Sequence, residues 1–112
     1  MVSGAEKKMI ASVFQEGWKR LTGKGPSEIV VTVAPEFINI RCDGFMTQLE
    51  KNLLSCAEGE QAIVAMRRKL FDNSKDSLTS KLGGITGTRP IRIFDDYLPL
   101  EDSQSTSIIF MK

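Results

Sequence analysis

Histidine is absent from this 112-residue sequence, and its absence excludes more chemistry than any other feature of the composition. Histidine is the commonest general base and the commonest metal ligand in proteins. Without it, no Ser-His-Asp or Cys-His mechanism can be assembled within one chain, and zinc would depend on cysteines and carboxylates. We therefore expect a protein that is not an enzyme and that holds no metal ion or cofactor.

Cysteine is scarce, because the chain contains two, Cys42 and Cys56. Their spacing fits no metal-binding motif and no disulfide framework. Cys42 follows Ile40 and Cys56 follows Leu53 and Leu54, so we interpret both as small buried apolar side chains. The alternative is a reactive thiol, which would make the protein an enzyme with a cysteine nucleophile.

The sequence also lacks an excess of either charge, with 15 basic and 14 acidic residues and a net charge of +1. Partners such as nucleic acid and anionic lipid usually select a basic excess, so this balance does not favour nucleic-acid binding. Apolar runs are only a few residues long, whereas a membrane span needs about 20, and direct membrane insertion is therefore not expected.

The remaining composition is that of a globular protein, with 41% hydrophobic and 26% charged residues. The first residues, Met1–Lys8, lead into amphipathic sequence and not into the apolar core of a signal peptide. We see no repeat and no linker. The sequence therefore predicts a single domain over residues 1–112, located in the cytoplasm or peripherally at the inner face of the membrane.

Three helices are predicted from caps and apolar spacing. Ser3 with Glu6 forms a capping-box pattern, and apolar residues then recur at helical spacing until Gly23, Gly25 and Pro26 end the helix. A second capping box begins a short helix, and the helical pattern is interrupted at residues 57–59. A long helix is predicted after it, over residues 61–82. These two helices are indicated by Thr47, Glu50 and the closing pair Gly83-Gly84.

Four strands are predicted around these helices. Glu28–Val33 is β-branched and Phe37–Cys42 alternates, so the two form an antiparallel hairpin. Ile91 and Ile93 indicate a third strand that Pro90 places at an edge, and residues 106–111 indicate a fourth. The order α-β-β-α-α-β-β predicts an α+β fold, with a four-stranded, mainly antiparallel sheet and helices packed on one face.

Two polar segments carry a structural interpretation. The glycines of residues 23–27 follow a helix and precede a strand, which is typical of helix termination and is the reverse of a phosphate-binding loop. Arg67, Arg68 and Lys69 are interleaved with acidic residues along the long helix, which indicates a solvated face. Anion binding and RNA contact are the alternatives for these segments.

An acidic loop is the most informative segment of the sequence. It places four carboxylates around two leucines and a tyrosine, in the order Asp95, Asp96, Tyr97, Leu98, Pro99, Leu100, Glu101 and Asp102. A solvated hairpin connection and a calcium or magnesium site are two interpretations, although the ligand alternation of a calcium loop is missing. The third is a partner-docking loop, because an apolar patch with a charged rim often marks an interaction site.

The order of these motifs resembles the MpsC-like family of small bacterial proteins over residues 5–112. The resemblance is carried by runs at residues 23–26 and 41–50, together with Leu53, Gly59, Arg67 and Thr86-Gly87. The family takes its name from a component of a cation-translocating, membrane-potential-generating system. It implies an accessory protein of a membrane ion-transport or inorganic-carbon uptake complex, and it implies no catalytic or binding residues.

We therefore expect a soluble, non-enzymatic accessory or regulatory protein that reaches the membrane through a protein partner, such as a transport complex. The alternative is a small RNA-binding module, since small α-β-β-α folds often serve that role. A four-stranded sheet also has two edges, and an open edge invites pairing with another copy, so we expect a homodimer.

Overall fold

The computed structural model describes residues 2–110 and has three helices and one four-stranded sheet. It confirms the predicted α+β class and the predicted order of elements. The elements are α1 (Gly4–Thr22), β1 (Glu28–Val33), β2 (Phe37–Asp43), α2 (Gln48–Leu54), α3 (Gly59–Thr86), β3 (Pro90–Leu98) and β4 (Ser103–Phe110). Among residues 2–110, no helix is both long enough and apolar enough to cross a membrane.

Helix α1 begins and ends where its capping residues predict. The Ser3 hydroxyl accepts a hydrogen bond from the Glu6 N–H, and the Glu6 carboxylate accepts one from the Ser3 N–H. Gly23 ends the helix with a φ of 86°, a left-handed conformation that glycine adopts without a steric cost. The helix buries Ile10, Phe14 and Trp18 against the sheet and α3.

The strand order in the sheet is β1-β2-β4-β3, and all neighbours are antiparallel. One face packs against the helices and is lined by buried side chains such as Ile40, Thr106 and Tyr97. No helix of the described chain covers the other face, where Thr32, Asn39, Ser107 and Phe94 lie side by side across the strands. Strands β1 and β3 form the two edges.

The junction of α2 and α3 depends on Gly59. The predicted second capping box is present, since the Thr47 hydroxyl accepts from the Glu50 N–H and the Glu50 carboxylate accepts from the Thr47 N–H. After α2, Glu58 adopts a φ of 60° and α3 starts at Gly59, where a Cβ would overlap the carbonyl oxygen of Leu53. A residue without a side chain is required for so close an approach.

The prediction that Gly83-Gly84 ends the long helix is wrong. Helix α3 continues to Thr86 and is capped by Gly87, whose N–H donates to the Gly83 carbonyl. Ile85 packs against the hydrophobic core, and this contact holds the last turn helical despite the two glycines. At 28 residues the helix is about 42 Å long at 1.5 Å per residue.

Three further predictions are corrected. Cys42 is buried as predicted, but Cys56 is exposed at the end of α2. The fourth strand starts earlier than predicted, at Ser103, and Met111 lies outside the described residues. The apolar spacing of the long helix predicts Met66 on or near its core face, but Met66 is 37% exposed, and Phe71 is buried on that face.

Candidate docking loop and the arginine beneath it

The acidic loop, residues 95–102, is half strand and half turn. Residues 95–98 continue β3, so successive side chains alternate between the helix side and the open face of the sheet. Residues 99–102 form the turn that leads into β4, where the Glu101 N–H donates to the Leu98 carbonyl. The prediction of a hairpin connection is therefore right for the turn and wrong for the first four residues.

Asp102 anchors the acidic loop to the segment between β2 and α2. Its carboxylate accepts hydrogen bonds from the Phe45 N–H at 3.1 Å, the Met46 N–H at 3.0 Å and the Tyr97 hydroxyl at 2.8 Å. Its carbonyl accepts from the Gly44 N–H. Asp102 has a φ of 47°, which aspartate tolerates better than most residues. The side chain therefore fixes the shape of the turn.

Tyr97 and Asp95 face the helices, where Tyr97 belongs to the core and Asp95 is partly buried. Tyr97 is 3% exposed, and burial raises the pKa of its hydroxyl well above the ordinary value. Asp95 accepts hydrogen bonds from the Gln104 amide at 2.6 Å and the Thr106 hydroxyl at 2.7 Å. Burial nevertheless raises the pKa of Asp95 to about 6, because the charged form is poorly solvated there.

Of the remaining five side chains of the loop, Pro99 is buried and four face solvent. Leu98, the last residue of β3, is 48% exposed, and Leu100 in the turn is 74% exposed, so two leucines are exposed at the end of the hairpin. Glu101 is exposed beside them, and Asp96 lies 4.0 Å from the Arg68 guanidinium in an exposed ion pair. The exposed surface of the loop therefore consists of two apolar side chains with acidic neighbours. Its use as a docking site stays a prediction.

A buried arginine lies beneath the loop. Arg67 is 0% exposed, and its guanidinium donates to both carboxylate oxygens of Glu50, at 2.7 and 2.6 Å, and to the Phe45 carbonyl at 3.1 Å. Its central carbon lies 4.1 Å from the ring centre of Tyr97 and 4.3 Å from that of Phe45. Trp18 contributes a third ring at 5.3 Å. A cation held among aromatic rings is stabilised by their quadrupoles.

The prediction that Arg67 lies on a solvated face is therefore wrong, although Arg68 and Lys69 are exposed as predicted. A signal for the burial of Arg67 is present in the sequence. Arg67 follows Ile63 by four residues and precedes Phe71 by four, and all three lie on one buried stripe of α3. The charged residue at an apolar position of the helical repeat indicates a buried partner, which is Glu50.

The carboxylates of the loop do not converge on one point. Asp102 and Asp95 face inward to different hydrogen-bond donors, while Asp96 and Glu101 face solvent. Within residues 2–110, no three His, Cys, Asp or Glu side chains lie together in a geometry that could hold a metal ion. The Cys42 thiol lies in the core, where burial raises its pKa to about 12, so the reactive thiolate form is disfavoured.

Comparison with known proteins identifies one family. Neither the curated proteins nor the solved structures yield a match to the chain. The family described as the Na+-translocating membrane potential-generating system (MpsC) matches residues 4–112, which is nearly the whole chain. The family match spans all seven elements of the fold, including the acidic loop and the buried Arg67. The chain therefore belongs to the MpsC family.

Proposed function

We propose that this protein is a non-enzymatic accessory or regulatory subunit of a membrane ion-transport system, either one that generates membrane potential or one for inorganic-carbon uptake. It works in the cytoplasm, at the inner face of the membrane, and reaches the membrane by binding a protein component of that system. The family description supports the membrane-potential context. The inert position of Cys42 and the scattered carboxylates support a binding role over catalysis.

The observation that carries the proposal is the rigid presentation of Leu98 and Leu100. An exposed apolar patch with a charged rim often marks an interaction site. Here the turn is held from beneath by four hydrogen bonds to Asp102, counting both its carboxylate and its carbonyl. Since the loop is ordered before binding, little conformational entropy is lost when a partner covers the two leucines.

The proposal is tested by capturing the tagged protein from membranes of its own organism and identifying the bound proteins. The wild type is expected to retain a subunit of an ion-transport or inorganic-carbon complex. The double variant Leu98→Ser, Leu100→Ser is expected to lose at least about tenfold of that signal, which corresponds to about 1.4 kcal/mol. Equal capture by this variant would remove the acidic loop from the proposal.

Leu49 offers a matched control for this experiment. It is 74% exposed on α2, as exposed as Leu100, but it lies outside the acidic loop. Leu49→Ser is therefore expected to bind as the wild type does, which separates loss of the docking surface from a general loss of surface hydrophobicity.

RNA binding is the second candidate, and the open face of the sheet favours it. Phe37 and Phe94 are 44% and 52% exposed on that face, and the Arg92 guanidinium lies 5.9 Å from the Phe94 ring. Exposed aromatic rings on an antiparallel sheet can stack on bases. Asp43 and Asp96 lie on the same face, and their negative charges would repel the phosphates of RNA. Ribonuclease treatment before capture distinguishes the two, because a protein partner remains bound after RNA is destroyed.

A further inference from the structure

The two edges of the sheet differ in how they resist pairing with another strand. Edge strand β3 starts with Pro90, shifts register between Pro90 and Arg92, and carries two adjacent aspartates, Asp95 and Asp96. Proline, bulges and charges are the usual features that keep an edge strand unpaired. Edge strand β1 has no proline and no bulge within Glu28–Val33, its one charged residue is Glu28 at the first position, and its register with β2 is unbroken over all six residues. The β1 edge is therefore open.

The hydrogen-bonding groups that β1 leaves free can be identified. The Ala34 N–H donates to the Phe37 carbonyl at 2.9 Å, which places a hydrogen-bonded pair at the turn between β1 and β2. Hydrogen-bonded and non-hydrogen-bonded pairs alternate along an antiparallel ladder. Thr32 and Val30 therefore direct their backbone groups at β2. Three residues direct theirs away from the sheet, namely Ile29, Val31 and Val33.

This edge is complementary to itself. A two-fold axis through Val31 places Val31 opposite Val31 of the second copy, and places Ile29 opposite Val33 of the second copy. The two-fold axis repeats the second pair as Val33 opposite Ile29 of the second copy, which gives three pairs. Each is a hydrogen-bonded pair, so about six backbone hydrogen bonds form. An axis through Val30 would instead leave Val33 without a partner inside the strand. The axis at Val31 is thus the arrangement that uses every free backbone group of β1.

The side chains fit the same arrangement. The helix-side residues of β1 are only partly buried by α1, and Val30 on the open face is 42% exposed, so apolar surface remains at this edge. Pairing about Val31 sets Val30 against Thr32 of the second copy, and β-branched cross-strand pairs stabilise a sheet. Glu28, the charged residue of the strand, falls opposite Ala34 of the second copy. No like charges are therefore opposed.

We propose that two copies of this chain form a dimer by antiparallel pairing of β1 with β1, with the two-fold axis at Val31. The dimer joins the two four-stranded sheets into one continuous sheet. The acidic loop belongs to the hairpin of β3 and β4. Strand β3 is the edge opposite β1, so the loop stays accessible in the dimer. The dimer therefore goes beyond the proposed docking function and does not depend on it.

The first test is the mass of the purified protein in solution over a range of concentrations, measured by light scattering or sedimentation. The wild type is expected to be a dimer. Val31→Lys is expected to be a monomer, because two ammonium groups would face each other at the axis. Ile91→Lys is the matched control, since Ile91 is 53% exposed on the other edge strand, and this variant is expected to remain a dimer.

The register is tested by a distance measurement that does not depend on the lysine variants. A nitroxide label is attached at Glu28→Cys in a Cys56→Ser background, because Cys56 is the exposed native thiol. Pairing about Val31 separates the two labelled Cα atoms by six residues along the strands, or about 20 Å at 3.4 Å per residue. A monomeric wild type, a dimeric Val31→Lys protein or a clearly longer distance would each overturn the proposal.

Discussion

Arg67 is the side chain through which the helices and the acidic loop are connected. Its ion pair with Glu50 is almost completely removed from solvent, at 0% and 2% side-chain exposure. A buried ion pair adds little net stability over apolar residues of the same size, but removal of one partner leaves the other charge buried and unpaired. When Arg67 is replaced, the protein is therefore expected to lose stability mainly because the Glu50 carboxylate stays buried without a partner.

We predict that Arg67→Met lowers the free energy of unfolding by about 3–5 kcal/mol. The double variant Arg67→Met, Glu50→Gln is expected to recover a large part of that loss, because glutamine keeps the capping box and carries no charge. Urea denaturation of the wild type, both single variants and the double variant gives the coupling energy. Simple additivity of the two single effects would contradict this account of the pair.

The contrast between Glu50 and Arg67 shows what sequence reasoning can reach at this scale. Glu50 was predicted as a cap because its partner, Thr47, lies three residues away, and local patterns reveal local partners. Arg67 contacts Glu50 from a distance of 17 residues along the chain, and its rings come from three different segments. The neighbouring Arg68 and Lys69 made it resemble a surface residue. The position of Arg67 on the apolar stripe of α3 indicates burial, whereas its charge suggests a surface residue.

At the scale of elements, local signals located the elements well, but the end of α3, the end of β3 and the start of β4 differ from the predicted boundaries. Caps and alternation predicted α1, β1 and β2 within a residue or so of their observed bounds. The end of α3 was misplaced because two glycines are poor helix formers, whereas Ile85 gains burial only if the helix continues past them. The outcome depends on packing that no short window of sequence contains.

The extended end of α3 gives a direct prediction. Gly84 is exposed and helical, and a Cβ there would have no atom within 4 Å. Gly84→Ala is therefore expected to raise the free energy of unfolding by about 0.5–1 kcal/mol, because alanine loses less backbone entropy on folding. Denaturation midpoints in urea measure the change.

Gly87→Ala is the control for that variant, three residues further along. Gly87 caps the helix with a φ of 74°, a conformation in which a Cβ is strained, so alanine is expected to destabilise the protein there. If both variants shifted stability in the same direction, the assignment of Gly84 to the helix and Gly87 to the cap would be contradicted.

At the scale of the whole molecule, pH dependence is set by buried carboxyl groups, because the chain has no histidine. Burial tends to raise the pKa of Glu50, but hydrogen bonds from Arg67 and Thr47 and the charge of Arg67 hold it below the ordinary value of 4.5. The stabilisation from Glu50 is present above pH 4.5 and is lost as the pH falls through its folded pKa.

Asp95 acts in the opposite direction. Its pKa is raised from 3.8 to about 6, so the folded protein binds this proton more tightly than the unfolded chain does. The resulting stabilisation is complete below pH 3.8 and is lost as the pH rises to about 6. Together the two groups favour mildly acidic conditions, where Glu50 is ionised and Asp95 is largely protonated.

We predict that Asp95→Asn is more stable than the wild type at about pH 7. Its free energy of unfolding is expected not to show the decrease that Asp95 causes in the wild type between about pH 4 and 6. Asparagine is never charged, and its amide adds a donor next to the Gln104 side chain, whose buried carbonyl oxygen has no hydrogen-bond partner within residues 2–110. Urea unfolding of both proteins at a series of pH values tests this. Parallel stability curves for the two proteins would show that Asp95 does not set the decline.

The shape of the molecule also matters for the proposed docking. The domain measures 45 × 23 × 22 Å, and its long dimension is close to the length of α3. Strand β1 forms one edge of the sheet, and the β3–β4 hairpin lies at the other edge. A dimer joined through β1 would therefore carry its two acidic loops far apart, and a membrane complex with repeated subunits could engage both and gain avidity.

Trp18 is the single tryptophan of the chain, and it is 3% exposed. Its indole packs against the rings of Phe45 and Phe71 and lies beside the Arg67 guanidinium. Indole fluorescence shifts to longer wavelength when water reaches the ring, so the emission colour of this protein reports whether the contact between α1, α3 and the segment before α2 is intact. The molecule thus carries its own optical probe at the point where the helices support the acidic loop.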